Sequence, residues 1–189
     1  TPLYVAFSTQ KGGVGKTTFT VLAASYLYYL KGYDVAVVDC DYPQHSIAGM
    51  RKRDAEQVGA DEDYKRMAYE QFTRLGKKAY PVLCSSPEKA IATADEHIAA
   101  GPVPDIVFFD LPGTVNSEGV INSLAGMDYI FTPISADKVV LESSLSFAMA
   151  IQKLLVRNEA CRLAGLYLFW NMVDGREKTD LYTAYDLSL

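Results

Sequence analysis

The 189-residue sequence is poor in cysteine and histidine and has no long apolar run. Its three cysteines, Cys40, Cys84 and Cys161, are too few and too widely spaced for a disulfide framework or a zinc site. Each lies beside apolar residues, so we expect reduced core cysteines of a cytoplasmic protein. The longest nearly apolar run, Phe19–Leu30, is shorter than the roughly 20 residues of a membrane-spanning helix. We expect no secretory leader, since that run follows a glycine-rich loop and not a basic leader.

An excess of positive charge is also lacking. The chain has 18 lysines and arginines against 23 acidic residues, a formal net charge of −5. This balance argues against a protein whose whole surface binds nucleic acid. Much of the positive charge falls between Arg51 and Lys78, but acids interrupt it, which favours a solvated helical face over a nucleic-acid surface. His45 and His97 are not in metal-ligand spacing and are expected at the surface.

The chain is 49% apolar, enough to form a packed core, and no linker or repeat divides it. Short apolar runs alternate with helical patterns, which predicts one α/β domain over residues 1–189: a doubly wound, mostly parallel sheet with helices on both faces. The predicted strands are Leu3–Phe7, Val35–Val38, Pro81–Cys84, Ile106–Phe109, Tyr129–Thr132 and Gly165–Trp170. The predicted helices are Thr17–Leu30, Asp61–Leu75, Pro87–Ala99, Glu118–Leu124, Lys138–Val156 and Glu177–Leu189. The last of these has no capping residue at its end, so we expect the natural protein to continue beyond it. The predicted N-caps are Ser86, Ser117 and Asp137, with Pro87 at a first helical position, and the predicted helix ends are Gly32, Gly76 and Gly101.

The most informative stretch is Ser8–Thr18, which reads STQKGGVGKTT between the first predicted strand and helix. Glycines there let backbone N–H groups converge on phosphate oxygens, and the helix N-terminus attracts anions. Lys16 is expected to contact the β- and γ-phosphates, the Thr17 hydroxyl to bind Mg²⁺, and Thr18 to reach the α-phosphate. The other cofactor-binding positions of the loop are Gly12, Gly13, Val14 and Gly15.

A dinucleotide fingerprint is the rival interpretation of this loop. That motif needs glycine or alanine at its third conserved position, where Thr18 stands. Asp39 lies at about the right distance for a ribose-binding acid, so the alternative has some support. Lys16 followed by two threonines nevertheless favours a nucleoside triphosphate.

Acidic residues follow two of the predicted strands. Asp39 and Asp41 come after Val35–Val38, and Asp110 comes after Ile106–Phe109. A nucleotide at the glycine-rich loop lies at the carboxyl ends of parallel strands, so we expect these acids near it. Four apolar residues and an acid form a Walker B pattern, which predicts that Asp110 holds Mg²⁺ directly or through water.

The segment Lys11–Thr17 resembles the deviant Walker A motif of the ParA/MinD family of P-loop ATPases. The strict P-loop pattern is not met, because Gln10 stands where that pattern requires glycine. The resemblance extends in motif order over nearly the whole chain. It implies that Lys11 reaches across an ATP-bound dimer to the partner's phosphates, where its charge acts like an arginine finger.

The resemblance also implies roles for the acids after the second strand. Asp39–Gln44 is similar to the family's D-x-D-P-Q switch I motif, with Tyr42 interposed. By this likeness Asp41 orients the attacking water, and Asp39 supports the loop or the Mg²⁺ shell.

Two further segments are similar to functional parts of the family. Asp110–Gly113 looks like switch II, in which Gly113 turns its N–H toward the γ-phosphate. Asn171, at the end of the last predicted strand, looks like the residue that reads the adenine edge, since an amide offers both a donor and an acceptor.

The family resemblance therefore implies a cytoplasmic, dimeric switch ATPase that binds Mg-ATP, hydrolyses it slowly and acts in DNA segregation or mobile-element maintenance. Its expected cofactors are ATP and Mg²⁺, and its expected partners are a second copy, a ParB-like adaptor and non-specific DNA, without a membrane. A ligase of the dethiobiotin synthetase type, a MinD-like positioning ATPase and a nucleotide-binding module without hydrolysis remain open. The MinD-like alternative calls for a terminal basic amphipathic helix, which this sequence does not show.

Overall fold

A computed structural model describes residues 1–10, 12–113, 117–153, 161–174 and 176. It contains a six-stranded parallel sheet in the order β3-β2-β4-β1-β5-β6. The strands are β1 (Leu3–Phe7), β2 (Val35–Asp39), β3 (Val82–Cys84), β4 (Ile106–Asp110), β5 (Tyr129–Ile134) and β6 (Gly165–Trp170). From β1 the chain runs to β2 and β3 on one side, returns through β4 between β2 and β1, and continues to β5 and β6 on the other side, so the doubly wound α/β prediction is confirmed.

Helices cover both faces of this sheet. They are α1 (Lys16–Ser25), α2 (Ser46–Ala60), α3 (Glu62–Leu75), α4 (Ala90–Ala100), α5 (Glu118–Ala125) and α6 (Lys138–Ile151). A π-helical turn, Tyr26–Leu30, extends α1, and a 3₁₀ turn, Pro87–Lys89, precedes α4. Within the described residues, no helix is both long and apolar enough to span a membrane.

The alternation of side chains along β1 explains the two layers. Tyr4 and Ala6 pack in a core that includes residues of α4, α5 and α6, whereas Val5 and Phe7 pack in a second core with residues of α1 and α2. Successive side chains of a strand point to opposite faces, so a strand buried on both faces must be apolar throughout. This is the pattern from which the parallel sheet is predicted.

Several helix boundaries follow from local capping chemistry, as predicted. The side chain of Ser117 accepts a hydrogen bond from the N–H of Val120, and that of Asp137 accepts one from the N–H of Val140. Gly76 ends α3 in the left-handed conformation, with φ of 65°. Such caps satisfy the otherwise unpaired backbone groups at helix ends.

Other local predictions are wrong or incomplete. Helix α2 was not among the predicted helices, because its few apolar residues do not form a clear helical stripe. Ser86 makes no capping hydrogen bond, and Pro87 begins a 3₁₀ turn instead of an α-helix. Gly101 ends α4 in an extended conformation, with φ of −158°. Cys84 is exposed, which corrects the expectation of a core cysteine.

The predicted helix Glu177–Leu189 lies outside the described residues. The predicted helix Lys138–Val156 is described only to residue 153. Of the cysteines, Cys40 is buried and Cys161 is half-buried, and all three are free.

Candidate nucleotide site

The glycine-rich loop begins at a buried polar junction after β1. The carbonyl oxygen of Ser8 accepts a hydrogen bond of 2.9 Å from the hydroxyl of Thr132 in β5. The hydroxyl groups of Thr9 and Ser144, a residue of α6, lie 3.3 Å apart and share a hydrogen bond. Strand β5 and helix α6 therefore hold the start of the loop in place.

Two glycines shape the turn from this loop into α1. Gly13 has φ of +77° and Gly15 has φ of +93°, values that favour glycine over residues with a side chain. Gly15 is the residue that precedes α1 and, having no side chain, cannot cap the helix with one. The first N–H groups of α1 have no partners within the helix and point toward the space next to the loop. This is the geometry of an anion-binding helix N-terminus.

Lys16, the first residue of α1, lies close to the switch II segment. A Cβ atom placed on Gly113 would come within 3.0 Å of the Lys16 Nζ, so a side chain at Gly113 would crowd the lysine. Burial lowers the pKa of Lys16, and the charges of Asp110 and Asp41 act in the opposite direction. Lys16 therefore lies in the acidic centre of the site.

The two carboxylate oxygens of Asp110, at the end of β4, differ in their hydrogen bonds. The Thr17 hydroxyl donates a hydrogen bond of 2.8 Å to Oδ2. Among the described residues, the buried Oδ1 atom has no hydrogen-bond partner. Burial raises the pKa of Asp110 to about 6, and the charges of Asp39 and Asp41 add to that effect, while the Thr17 hydrogen bond and Lys16 oppose it.

A carboxylate oxygen without a partner, next to a threonine hydroxyl, fits the ligand preference of Mg²⁺. Native proteins rarely leave such a buried acceptor unsatisfied. Thr17 and Asp110 thus form a donor set that suits the predicted metal, and the cation would favour the ionised form that burial disfavours.

Asp39, at the end of β2, is fully buried and differently paired. Its Oδ2 atom accepts hydrogen bonds of 2.9 Å from the N–H of Ile47 and 3.0 Å from the N–H of Ala48, and its Oδ1 atom accepts one of 3.3 Å from the N–H of Asp41. These contacts anchor the start of α2 and the preceding loop. They correspond to the supporting role predicted for Asp39; its alternative role in the Mg²⁺ shell stays a prediction.

Asp41 and Asn171 each have a side-chain hydrogen bond near the loop. The Ser46 hydroxyl donates a hydrogen bond of 3.1 Å to Oδ2 of Asp41. The side-chain amide of Asn171 donates one of 3.0 Å to the carbonyl oxygen of Val14. Asn171 thus contacts the phosphate loop, and its contact with an adenine edge stays a prediction.

Residues 5–186 match the CobQ/CobB/MinD/ParA nucleotide-binding domain. The chain belongs to this family. The chain is 28% identical over 185 residues to the chromosome-partitioning ATPase Soj of Thermus thermophilus, an alignment that covers 91% of this chain and 70% of Soj.

Solved structures agree on the fold of this member of the CobQ/CobB/MinD/ParA family. A plasmid partition protein from Borrelia burgdorferi bound to AMPPNP is 19% identical, with a TM-score of 0.65, over 98% of this chain and 81% of that one. The pNOB8 ParA bound to non-specific DNA is 17% identical, with a TM-score of 0.67, over all of this chain and 74% of that one.

Most predicted site residues of this family member lie at one edge of the sheet. The structure places there Gly12, Gly13, Val14, Gly15, Lys16, Thr17, Thr18, Asp39, Asp41, Asp110 and Asn171. Lys11 lies outside the described residues, so its role stays a prediction. Sequence reasoning missed Thr132 and Ser144 as supports of the loop. Thr132 is a polar residue in an otherwise apolar strand, whereas Ser144 is one of several serines in α6 and carries no such signal.

Proposed function

We propose that this protein is a Mg-ATP-dependent dimeric switch of the ParA type, which hydrolyses ATP slowly and acts in DNA partition or mobile-element maintenance. The Oδ1 atom of Asp110, which has no hydrogen-bond partner in the described part of the chain, carries the proposal, because together with the Thr17 hydroxyl it provides cation ligands next to the phosphate loop. Family membership and the similarity to Soj support the partition role.

Binding would use the loop backbone, the N-terminus of α1 and the Lys16 ammonium to hold the triphosphate. Thr17 and Asp110 would hold Mg²⁺, which when bound neutralises phosphate charge and strengthens the site's preference for the triphosphate. Gly113 lies close enough to Lys16 for its backbone to border the same phosphates.

Hydrolysis would use Asp41 to orient the attacking water. Its carboxylate accepts the Ser46 hydroxyl and lies within electrostatic range of Lys16, so it is held beside the phosphate end of the loop. A single positioned carboxylate, with a further cation supplied only on assembly, agrees with slow hydrolysis in the isolated protein.

Assembly would bring Lys11 of each protomer to the partner's nucleotide, so ATP would switch the protein between monomer and dimer. The dimer would then offer a surface to an adaptor protein of the ParB kind and to non-specific DNA, as the pNOB8 ParA structure with DNA supports. We further propose a cytoplasmic location, which the three unpaired cysteines support.

Light scattering with ATP, combined with nucleotide calorimetry, tests this proposal. Lys16→Ala should abolish nucleotide binding. Lys11→Ala should bind ATP but remain monomeric, and Asp41→Ala should accumulate an ATP-bound dimer. Exposed Lys52→Ala and Asp63→Ala are the charge-matched controls and should behave like the unmodified protein.

Retained micromolar ATP affinity in Lys16→Ala would contradict the phosphate-loop assignment. A protein that stays monomeric with ATP, and turns over ATP only when a small carboxylic or amine substrate is added, would favour the ligase alternative. Stimulation of hydrolysis by DNA with an adaptor protein would favour the partition switch.

A further inference from the structure

A second cavity lies on the outer side of α1, away from the predicted phosphate contacts. It has a volume of about 580 Å³ and lies between α1, α2, α3 and the segment that leads into β3. Sites for small organic ligands typically measure about 300–1,000 Å³ and combine apolar walls with a few polar groups. This cavity is therefore large enough for a small molecule.

The cavity exists because the outer helices pack loosely on this side of the sheet. Helix α3 has no buried residue, and α2 has only Ile47. Tyr80 is buried beneath them, so the floor of the cavity is part of the core while its roof is not. Because Tyr80 is already buried and the outer wall is not part of the core, the cavity can accept a ligand without opening the core.

Three aromatic rings form one side of the cavity. The ring centroid of Tyr29 lies 5.8 Å from that of Tyr80 and 6.4 Å from that of Phe72. Aromatic rings prefer offset or edge-to-face neighbours at centroid distances of about 4.5–7 Å. A flat aromatic ring can therefore pack against this group, with Val58 and Ala68 on the helical side.

One cationic side chain accompanies the rings. The guanidinium carbon of Arg51 lies 4.4 Å from the ring centroid of Tyr80. Burial raises the pKa of Tyr29, and the nearby charge of Arg51 acts in the opposite direction. No carboxylate within the described part of the chain forms an ion pair with Arg51. Asp54 lines the same cavity but is exposed, where solvent screens its charge.

An arginine held by aromatic rings keeps several N–H donors available for a planar, bidentate acceptor. A carboxylate is such an acceptor. We propose that the cavity is a binding site for a small aromatic carboxylate, whose ring packs against Tyr29, Phe72 and Tyr80 and whose carboxylate pairs with Arg51.

The site is adjacent to the nucleotide site but distinct from it. A neighbouring cavity of about 530 Å³ is lined by Thr17 and Thr18 and shares Val21 and Met50 with the proposed site. A ligand held by Arg51 would lie on the far side of these two shared residues. It should therefore bind together with ATP instead of competing with it.

Calorimetry with 2-naphthoate as the probe tests the proposal on the full chain. A ligand of this size is expected to bind with a Kd of about 1 mM, from the affinity per atom of ordinary small ligands. Arg51→Gln should weaken binding about tenfold, because a charged hydrogen bond is lost, and Arg51→Lys should lie between the two. The neutral 2-naphthalenemethanol should bind the unmodified protein about tenfold more weakly than the acid.

Lys52→Gln is the matched control, since it removes the same charge one residue away. Lys52 is exposed and pairs only with Glu56 among the described residues, so affinity for 2-naphthoate should stay within about twofold. The methyl signals of isotopically labelled Val58, which lines this cavity and not the neighbouring one, should shift on titration and so locate the probe.

Equal affinity for 2-naphthoate in Arg51→Gln and the unmodified protein would overturn the proposal. So would displacement of the probe by ATP, the absence of saturable binding, or equal binding of the acid and the neutral alcohol. The proposal does not depend on hydrolysis or dimerisation, so it can fail while the proposed switch function stands.

Discussion

Asp39 and Asp110 end neighbouring strands, are partners in the register of β2 and β4, and are both almost fully buried. Their hydrogen bonds nevertheless differ. Asp39 accepts three backbone N–H groups from the segment that follows it, whereas Asp110 accepts one hydroxyl and leaves Oδ1 without a partner among the described residues.

The difference shows that burial of an acid at the carboxyl end of a parallel strand does not by itself make a metal ligand. A carboxylate whose oxygens are satisfied by the protein supports structure, because exchanging those bonds for a cation would leave backbone donors unpaired. A carboxylate with a free oxygen retains the capacity to bind a cation. Substitutions at Asp39 and Asp110 should therefore change stability and metal binding in different ways.

The largest effect is expected for Asp39→Ala. Loss of the buried acceptor leaves the N–H groups of Ile47 and Ala48 unpaired, so the free energy of unfolding should fall by about 2–4 kcal/mol. Asp61→Ala is the matched control: it removes an exposed helix cap from α3 and should reduce stability by only about 1 kcal/mol. Denaturant unfolding measures both, and equal losses would contradict the anchoring role of Asp39.

Asp110→Asn should instead raise the free energy of unfolding. The raised pKa of Asp110, about 6 against an ordinary value of 3.8, means that the folded protein resists ionisation of this carboxyl. The asparagine variant without metal should therefore be more stable at pH 7 by roughly 1–3 kcal/mol, and it should no longer bind nucleotide in a Mg²⁺-dependent way. A loss of stability at pH 7 would show that the ionised Asp110 is already well stabilised by the protein.

The pH dependence sharpens this prediction. Between pH 3.8 and about 6 the folded protein holds the Asp110 proton more tightly than the unfolded chain does, so this group's contribution to stability falls as pH rises through that window. The stability difference between Asp110→Asn and the unmodified protein should be near zero at pH 4 and level off above pH 6. A constant difference across this window would assign the effect to another cause.

The affinity for nucleotide should depend on the same protonation of Asp110. Because Mg²⁺ needs the ionised carboxylate, the Mg²⁺-dependent part of the ATP affinity should weaken by up to about tenfold per pH unit below pH 6. Binding of a fluorescent ATP analogue with Mg²⁺ and with a chelator measures this part. The metal-independent part of the affinity serves as the internal control.

The smallest effect is expected for Ser46→Ala. It removes one partly exposed hydrogen bond to Asp41 and leaves the N–H anchors of α2 on Asp39 in place, so stability should fall by only about 0.5–1 kcal/mol. The rate of hydrolysis should fall by more than this small loss of stability explains, since the orientation of Asp41 is lost. Calorimetric unfolding and steady-state turnover measure the two changes, and unchanged turnover would mean that Ser46 does not position Asp41.

Patterns that are local in the chain were predicted well. The strands β1 and β6 were predicted with correct bounds, and the caps Ser117 and Asp137 were identified from their own neighbourhoods. Helix α2 was missed because it lies in the loosely packed outer layer, where few of its positions must be apolar. The spacing of apolar residues reveals which face of a helix is buried, so a helix that buries only Ile47 leaves a weak pattern in the sequence.

By itself the sequence determined the α/β alternation, the phosphate loop after β1 and the acids that follow β2 and β4. These depend on residue period, glycine conformation and the order of motifs along the chain. Only the tertiary structure decided which acid keeps a free oxygen, since the partner of Asp110 is Thr17, 93 positions away. It also decided that β5 and α6 support the loop and that a cavity remains beneath α3, because hydrogen bonds and packing between distant segments are settled only when those segments meet.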